Sequence, residues 1–281
     1  MKKIFLLIAM TGVLMGAISC SDDEPSGVNT VFSVNTPMIN HIYNTVTGTV
    51  LGISNTHNFL TIDTALHTAS LDLRYNDGNG EKTLSLKNLS AKPKGIAFYE
   101  LSDASNSQFK GYVDFGEGSM RYIYTTSEGI RVISTTPEIF FRKTNNTISY
   151  DDTTETTVME STMYQFEVAP STLTSSVQVM DIEHAKDLKR FYSIKGSGAN
   201  VTLTPNGYVI QGDTIKTTAM VYRNWMDITS GVIPTTDKYP LIGFNATVDL
   251  LNDSLNATFK IGSSATVVST GRTYPSYTYK Q

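Results

Sequence analysis

Thr45-Val46-Thr47-Gly48-Thr49-Val50-Leu51-Gly52-Ile53 is the stretch whose reading decides the fold class. Val46, Gly48, Val50 and Gly52 fall on one side of an extended chain, and Thr45, Thr47, Thr49, Leu51 and Ile53 on the other. A period of two belongs to a strand. The same signature spreads outward from it. Leu84 and Leu86 alternate with polar residues in Thr83–Leu89, and Gly95–Leu101 and Tyr112–Phe115 are short apolar-rich runs. Met120–Thr125 and Gly129–Ser134 flank a turn at Ser127-Glu128-Gly129. Turn residues at Asn76–Gly80 and Pro93-Lys94-Gly95 separate such runs. Abundant Thr, Ser, Tyr and Val with little charge suits β-sheet surfaces. The fold class expected is mostly β.

One segment has a different period. In Asp181–Phe191, Ile182, Ala185, Leu188 and Phe191 lie three apart, Asp181 is a good N-cap, and Lys189 and Arg190 suit a helix C-terminus ahead of Gly196. A short helix packed on the sheet is expected there.

The chain also reads as a repeat. Leu89–Phe98 can be laid on Val201–Ile210, which matches Pro93 to Pro205. Tyr112–Phe115 falls on Thr247–Leu250. Ser119 then meets Ser254, and Val132, Ser134 and Thr135 meet Val267, Ser269 and Thr270. Asp63 falls near Asp181, so a helical counterpart is expected near Thr64–Leu73. Two related β-rich domains, sandwich- or roll-like, are expected over residues 31–142 and 158–281. The polar stretch 143–157 is their linker, and the second domain carries an insertion around Lys216–Leu241.

The first residues form an address. Lys2 and Lys3 precede the apolar run Ile4–Val13, and Gly16, Ala17 and Ser19 lead to Cys20, the only cysteine. Residues 1–19 read as a signal peptide, too short before their cleavage region for a membrane span. The region resembles a loose bacterial lipobox, with Ala17 and Ser19 where Leu and Ala or Gly are usual. An ordinary cleaved signal with a chance Cys is the alternative. Ser21-Asp22-Asp23-Glu24 looks like the export signal of surface lipoproteins in Bacteroidota, and residues 20–30 read as a flexible tether. That resemblance implies acylation of Cys20, a membrane partner through the lipid, and an outer-membrane location facing the exterior. Asp63-Thr64-Ala65, Asp152-Thr153-Thr154, Asp213-Thr214-Ile215 and Asp253-Ser254-Leu255 resemble Bacteroidota O-glycosylation acceptors, which makes Thr64, Thr153, Thr214 and Ser254 candidate sites.

Net charge is −4 with no basic block, which argues against nucleic acid as a partner. With its single Cys acylated, the body has no disulfide, thiolate metal site or Cys nucleophile. His41, His57, His67 and His184 have no metal-ligand spacing, and no nucleophile elbow, phosphate loop or dinucleotide fingerprint occurs. Neither cofactor nor metal is expected. Asp114 and Asp249, at matching places of the repeat, are the carboxylates a glycosidase reading would use, against a structural role at strand ends.

Trp225, the sole tryptophan, lies with Tyr222, Arg223, Asn224 and Asp227 inside the expected insertion. Aromatic faces stack on sugar rings, and Arg, Asn and Asp bond hydroxyls. This is a ligand site in outline; the alternative is a core Trp packed by Val221 and Met226. The function expected is a non-catalytic binding module for polysaccharide or another surface protein. A fimbrial-anchor-like adhesive subunit and a hydrolase with a site assembled only in three dimensions are the alternatives.

Overall fold

The computed structural model describes residues 30–95, 97–116, 118–150, 156–159, 162–184, 189–224, 227–262 and 265–273, and its elements are strands. Alternation of buried and exposed side chains is strict where one face meets a core, as in β3, where Ala69, Leu71, Leu73 and Tyr75 point inward. The first eight strands are β1 (Val31–Asn44), β2 (Thr49–Asp63), β3 (Thr68–Asn76), β4 (Glu81–Gly95), β5 (Phe98–Ser102), β6 (Lys110–Asp114), β7 (Ser119–Thr125) and β8 (Ile130–Thr135). Each pairs with the next, and β8 returns to β1, closing a barrel.

The remaining strands form a second sheet. They are β9 (Glu138–Tyr150), β10 (Thr156–Met159), β11 (Met163–Ala169), β12 (Thr174–His184), β13 (Lys189–Thr204), β14 (Gly207–Ile215), β15 (Thr217–Asn224), β16 (Asp227–Thr236), β17 (Leu241–Asp249), β18 (Ser254–Ile261) and β19 (Ala265–Thr273). Pairings run β9–β11–β12–β13–β14–β17–β18–β19 and back to β9, a second eight-strand ring. β10 extends β11 along β9, and the β15–β16 hairpin prolongs β14 and β17 beyond the ring. The neighbour order of the first ring is thus repeated.

Register follows the repeat in its second half. Val113 and Asp114 face Met120 and Ser119, while Val248 and Asp249 face Leu255 and Ser254. Val132 faces Tyr124, and Val267 faces Phe259. The match of Pro93 to Pro205 does not hold. Pro93 lies in β4 opposite Tyr99, whereas Pro205 lies in the two-residue turn after β13. Opposite Asp249 stands Gly207, and opposite Asp114 stands Phe98, and β4 carries a register irregularity between Pro93 and Gly95 that β13 does not show between Asn200 and Thr204. Gly207 is required by contact: a Cβ there would lie 2.3 Å from the Val248 carbonyl oxygen.

Of the stretch expected as a linker, residues 143–150 lie in β9, paired to β19, and 156–157 in β10. The expected start of a strand at Thr45 is corrected: residues 45–48 are a turn. Asn44 Oδ1 accepts from the backbone N–H of Val46 at 2.9 Å and of Thr47 at 3.0 Å, and Gly48 closes the turn at φ +72°. Asp63 and Asp249 cap their four-residue turns identically, through Ala65 and Leu66 and through Leu251 and Asn252.

The helix at Asp181–Phe191 is not seen. Asp181 adopts φ +53° within β12, and Ile182, Glu183 and His184 pair with Phe191, Arg190 and Lys189 of β13. Ile182 and Phe191 are buried cross-strand partners, so the two ends of the apolar spacing belong to two paired strands and not to one helical face. Ala185 and Leu188 lie outside the described residues. The counterpart over Thr64–Leu73 is likewise a turn followed by β3.

Each ring holds its own core. Met38, Ile42, Leu60, Leu71, Val113 and Tyr122 fill the first. The second is filled by an aromatic set, Phe141, Tyr164, Phe166, Phe244 and Phe259. Where the β2–β3 ladder stops after Phe59 and Asp72, side chains take it over: Arg74 N donates to Asn58 Oδ1 at 2.9 Å and Thr56 Oγ1 to Arg74 O at 2.8 Å.

The rings meet asymmetrically. Ile39, Ile123 and Ile133, on the outer wall of the first barrel, belong to the core of the second. His41, on that wall, meets the Tyr208 ring edge-on at 5.7 Å. Arg131 Nη2 donates to Pro205 O at 2.7 Å and Asn206 Oδ1 at 2.8 Å, and Arg121 pairs with Asp253. Pro205, Asn206 and Asp253 lie in turns at one end of the second ring, so the wall of the first ring stoppers that end.

Candidate functional site

β15 alternates Thr217, Ala219 and Val221 inward with Thr218, Met220 and Tyr222 on the opposite side. β13 runs beside it, and a register irregularity between Phe191 and Ser193 turns Tyr192 outward. The two tyrosines meet edge to face, ring centroids 6.0 Å apart. The Arg190 guanidinium lies 5.8 Å from the Tyr222 ring centroid and is held by Asp181, whose Oδ1 accepts from Nε at 2.8 Å and Nη2 at 2.7 Å. The left-handed turn at Asp181 places that carboxylate. Partial burial raises the Tyr222 hydroxyl pKa, Asp181 adds to it, and Arg190 opposes.

Beyond this pair the same face continues as a shallow groove of about 420 Å³ lined by Ser193, Lys195, Lys216, Thr218, Met220 and Asp237, among others. An aromatic pair, a guanidinium fixed by a carboxylate, and hydroxyls and ammonium groups along a groove are the elements that hold a sugar chain.

The sequence-derived residues divide. Tyr222 is half-buried at the centre of this strip; Arg223 and Asn224 are exposed beside it. Asn224 pairs with Asp227 across positions 225 and 226, so the group lies at the end of the β15–β16 hairpin. Asp227 is exposed and accepts from Thr229 N at 2.9 Å and Oγ1 at 2.6 Å, and those bonds lower its pKa. Trp225 lies outside the described residues. No family model, curated protein or solved structure matches this chain. The site therefore stands on its own geometry.

The helical spacing over Asp181–Phe191 hides Asp181, Arg190 and the adjoining Tyr192 as site residues. The outward alternation of Arg190 and Tyr192 was the signal available. Asp114 and Asp249 do not form a pair of free carboxylates: Asp114 Oδ1 accepts from Gly116 N at 2.9 Å, and Asp249 caps its turn. His41 is fully buried, while His57 and His67 are exposed. Among the described residues no group of three or more His, Cys, Asp or Glu is placed to hold a metal. Thr64 and Ser254 are partly exposed beside hairpin turns, and Thr214 is exposed on β14; Thr153 and Cys20 lie outside the described residues.

Proposed function

We propose that this chain is a lipoprotein anchored through Cys20 at the outer membrane, facing the exterior, whose second ring binds polysaccharide along the outer face of β13, β15 and β16. The observation that carries the binding site is Tyr222, on a β15–β16 hairpin that has no counterpart in the first ring, set against Tyr192 and Arg190 of β13 and Asp181 of β12. An element that ring closure does not need is free to serve binding. Trp225, at the end of that hairpin in sequence, belongs to the same site in this reading. The repeated strand order and register support descent of both rings from one duplicated unit. Thr64, Thr214 and Ser254 are proposed sugar acceptors on the same outward-facing body, with Thr153.

Two expected results test this. The mature protein carries an acylated Cys20 as its first residue, and Cys20→Ser abolishes the acyl mass; a mature N-terminus elsewhere removes the anchor. Tyr222→Ala and Trp225→Ala each weaken retention on the polysaccharide that wild type binds by about tenfold, the equivalent of 1.4 kcal/mol. Their melting temperatures stay close to wild type, since surface changes away from a core move stability by only about 0.5 kcal/mol. Unchanged retention in both variants ends the glycan reading.

The adhesive alternative draws on β1. Its residues Ile39–Asn44 pair with β8, whereas Phe32–Met38 pair only with β2 among the described strands. A strand from another protein has an edge to add to there. Strand-complemented assemblies that resist mild denaturant favour that alternative.

A further inference from the structure

The two rings differ in what covers one end. In the second ring, Tyr208 and Leu250 at that end are fully buried. The wall of the first ring covers them with Ile39, His41, Ile123 and Ile133. The same places in the first ring are Tyr99 and Phe115. Tyr99 faces Val113 as Tyr208 faces Val248, and Phe115 N donates to Ala97 O at 2.9 Å as Leu250 N donates to Asn206 O at 2.8 Å. Tyr99 and Phe115 are only partly buried, in ring contact with each other at 6.1 Å. Phe32, 6.3 Å from Phe115, is 50% exposed, Val31 is 44% exposed, and Leu66 at the tip of the β2–β3 turn is 71% exposed. One ring end is stoppered by protein, and its equivalent offers an aromatic and aliphatic rim.

We infer that this rim of the first ring rests on the lipid surface. The inference builds on the Cys20 anchor. The chain enters β1 at Val31, on the rim itself, and the residues from Cys20 to Val31 reach at most roughly 40 Å when extended. Of all the faces of the molecule, this end therefore needs the least extension of the tether to reach the bilayer. Its chemistry suits the headgroup boundary: Tyr99 is an amphipathic ring among apolar ones, and Lys94 is already paired to Glu100 at 2.8 Å. A second copy is a poorer fit. β18, the strand of the second ring that corresponds to β7 of the apolar stopper, presents Asn256, Thr258 and Lys260 outward. Exposed apolar rings of this kind need a covering phase, and the anchor supplies one.

Cys20 is the only native cysteine and is consumed by acylation in this reading, so an introduced thiol is uniquely labelled. Leu66→Cys places an environment-sensitive fluorophore on the rim. Val46→Cys, 77% exposed in the β1–β2 turn, places it at the opposite end of the barrel. Both acylated variants are reconstituted in vesicles of phosphatidylethanolamine and phosphatidylglycerol containing doxyl-labelled lipid. Quenching is roughly threefold stronger at 66 than at 46, because an interfacial probe sits within about 5–10 Å of the acyl boundary. Flotation with the vesicles and equal quenching at both sites overturns the rim contact and leaves the anchor standing. No flotation, with an unmodified N-terminus, overturns both. Protection of the label at 66 in detergent, rising with protein concentration and absent at 46, assigns the rim to a second copy and overturns the lipid contact.

Discussion

Phe166→Ala lowers the unfolding free energy by about 3–5 kcal/mol, the range for removing a fully enclosed phenyl ring. Phe166 has no solvent exposure and stands at the centre of the second ring. Its ring lies 6.0 Å from Phe141, 6.3 Å from Phe244 and 6.4 Å from Tyr164. Phe244 and Phe259 continue the set at 5.4 Å. The closed ladder around them fixes the backbone on every side, so the walls cannot collapse into the space left, and a lasting cavity adds to the lost transfer energy. Urea titration checks this: the midpoint falls at an unchanged m-value. A loss below about 1 kcal/mol would mean that the ring interior is not packed as described.

The second large effect is a pH dependence seated at His41. This imidazole is enclosed between the wall of the first ring and Tyr208. Burial is the main cause that lowers its pKa to about 4, and the Arg131 charge acts in the same direction. The Thr204 backbone, near the ring without a well-formed hydrogen bond, offsets part of this. The other charged groups at the junction are Arg121, Asp253 and Asp249. A folded-state pKa below the unfolded value of about 6.5 means that the unfolded chain binds the proton first. Stability from this group is therefore full above about pH 6.5 and is lost as pH falls toward 4, by about 3 kcal/mol in all. His41→Leu keeps the site apolar and removes the titration. Between pH 6.5 and 4 the stability of that variant falls less steeply than wild type, measured by denaturant titration at each pH. Parallel curves for the two proteins would show that His41 is not the group responsible.

What could be read in sequence follows from how local each signal is. Alternation is a property of neighbouring residues, so β4 could be placed from Leu84 and Leu86 with their polar neighbours, and β7 and β8 from the turn between two apolar runs, whereas β3 was hidden under the helix expected over Thr64–Leu73. The register of β6, β7, β17 and β18 was legible too, because Asp114–Ser119 and Asp249–Ser254 keep one spacing around turns whose Asp side chain accepts the N–H two residues on. Closure was not legible. It depends on β1 meeting β8 and β9 meeting β19, and no residue of these strands signals a partner so far along the chain. The helix failed for a different reason. Ile182 and Phe191, the two ends of the apolar spacing, face each other across β12 and β13, and a spacing that spans two paired strands imitates a single helical face. The same helical spacing hid Asp181, Arg190 and Tyr192 from the candidate site. Tyr222 was found because the sequence around it is rich in side chains that bond and stack, which is a matter of composition.

Ring closure also sets an order of events. The first barrel can close once Thr135 has left the ribosome, since all eight of its strands precede that point. The second ring waits for β19, whose partner β9 was made more than a hundred residues earlier. Contacts so distant in sequence close slowly, because the loop entropy falls due before the pairing is formed. A finished first barrel shortens that search: its wall of Ile39, Ile123 and Ile133 is already in place for the turns after β13 and β17 to settle on. The protein is thus arranged to fold as a vector, with the half made first acting as the mould for the half made last.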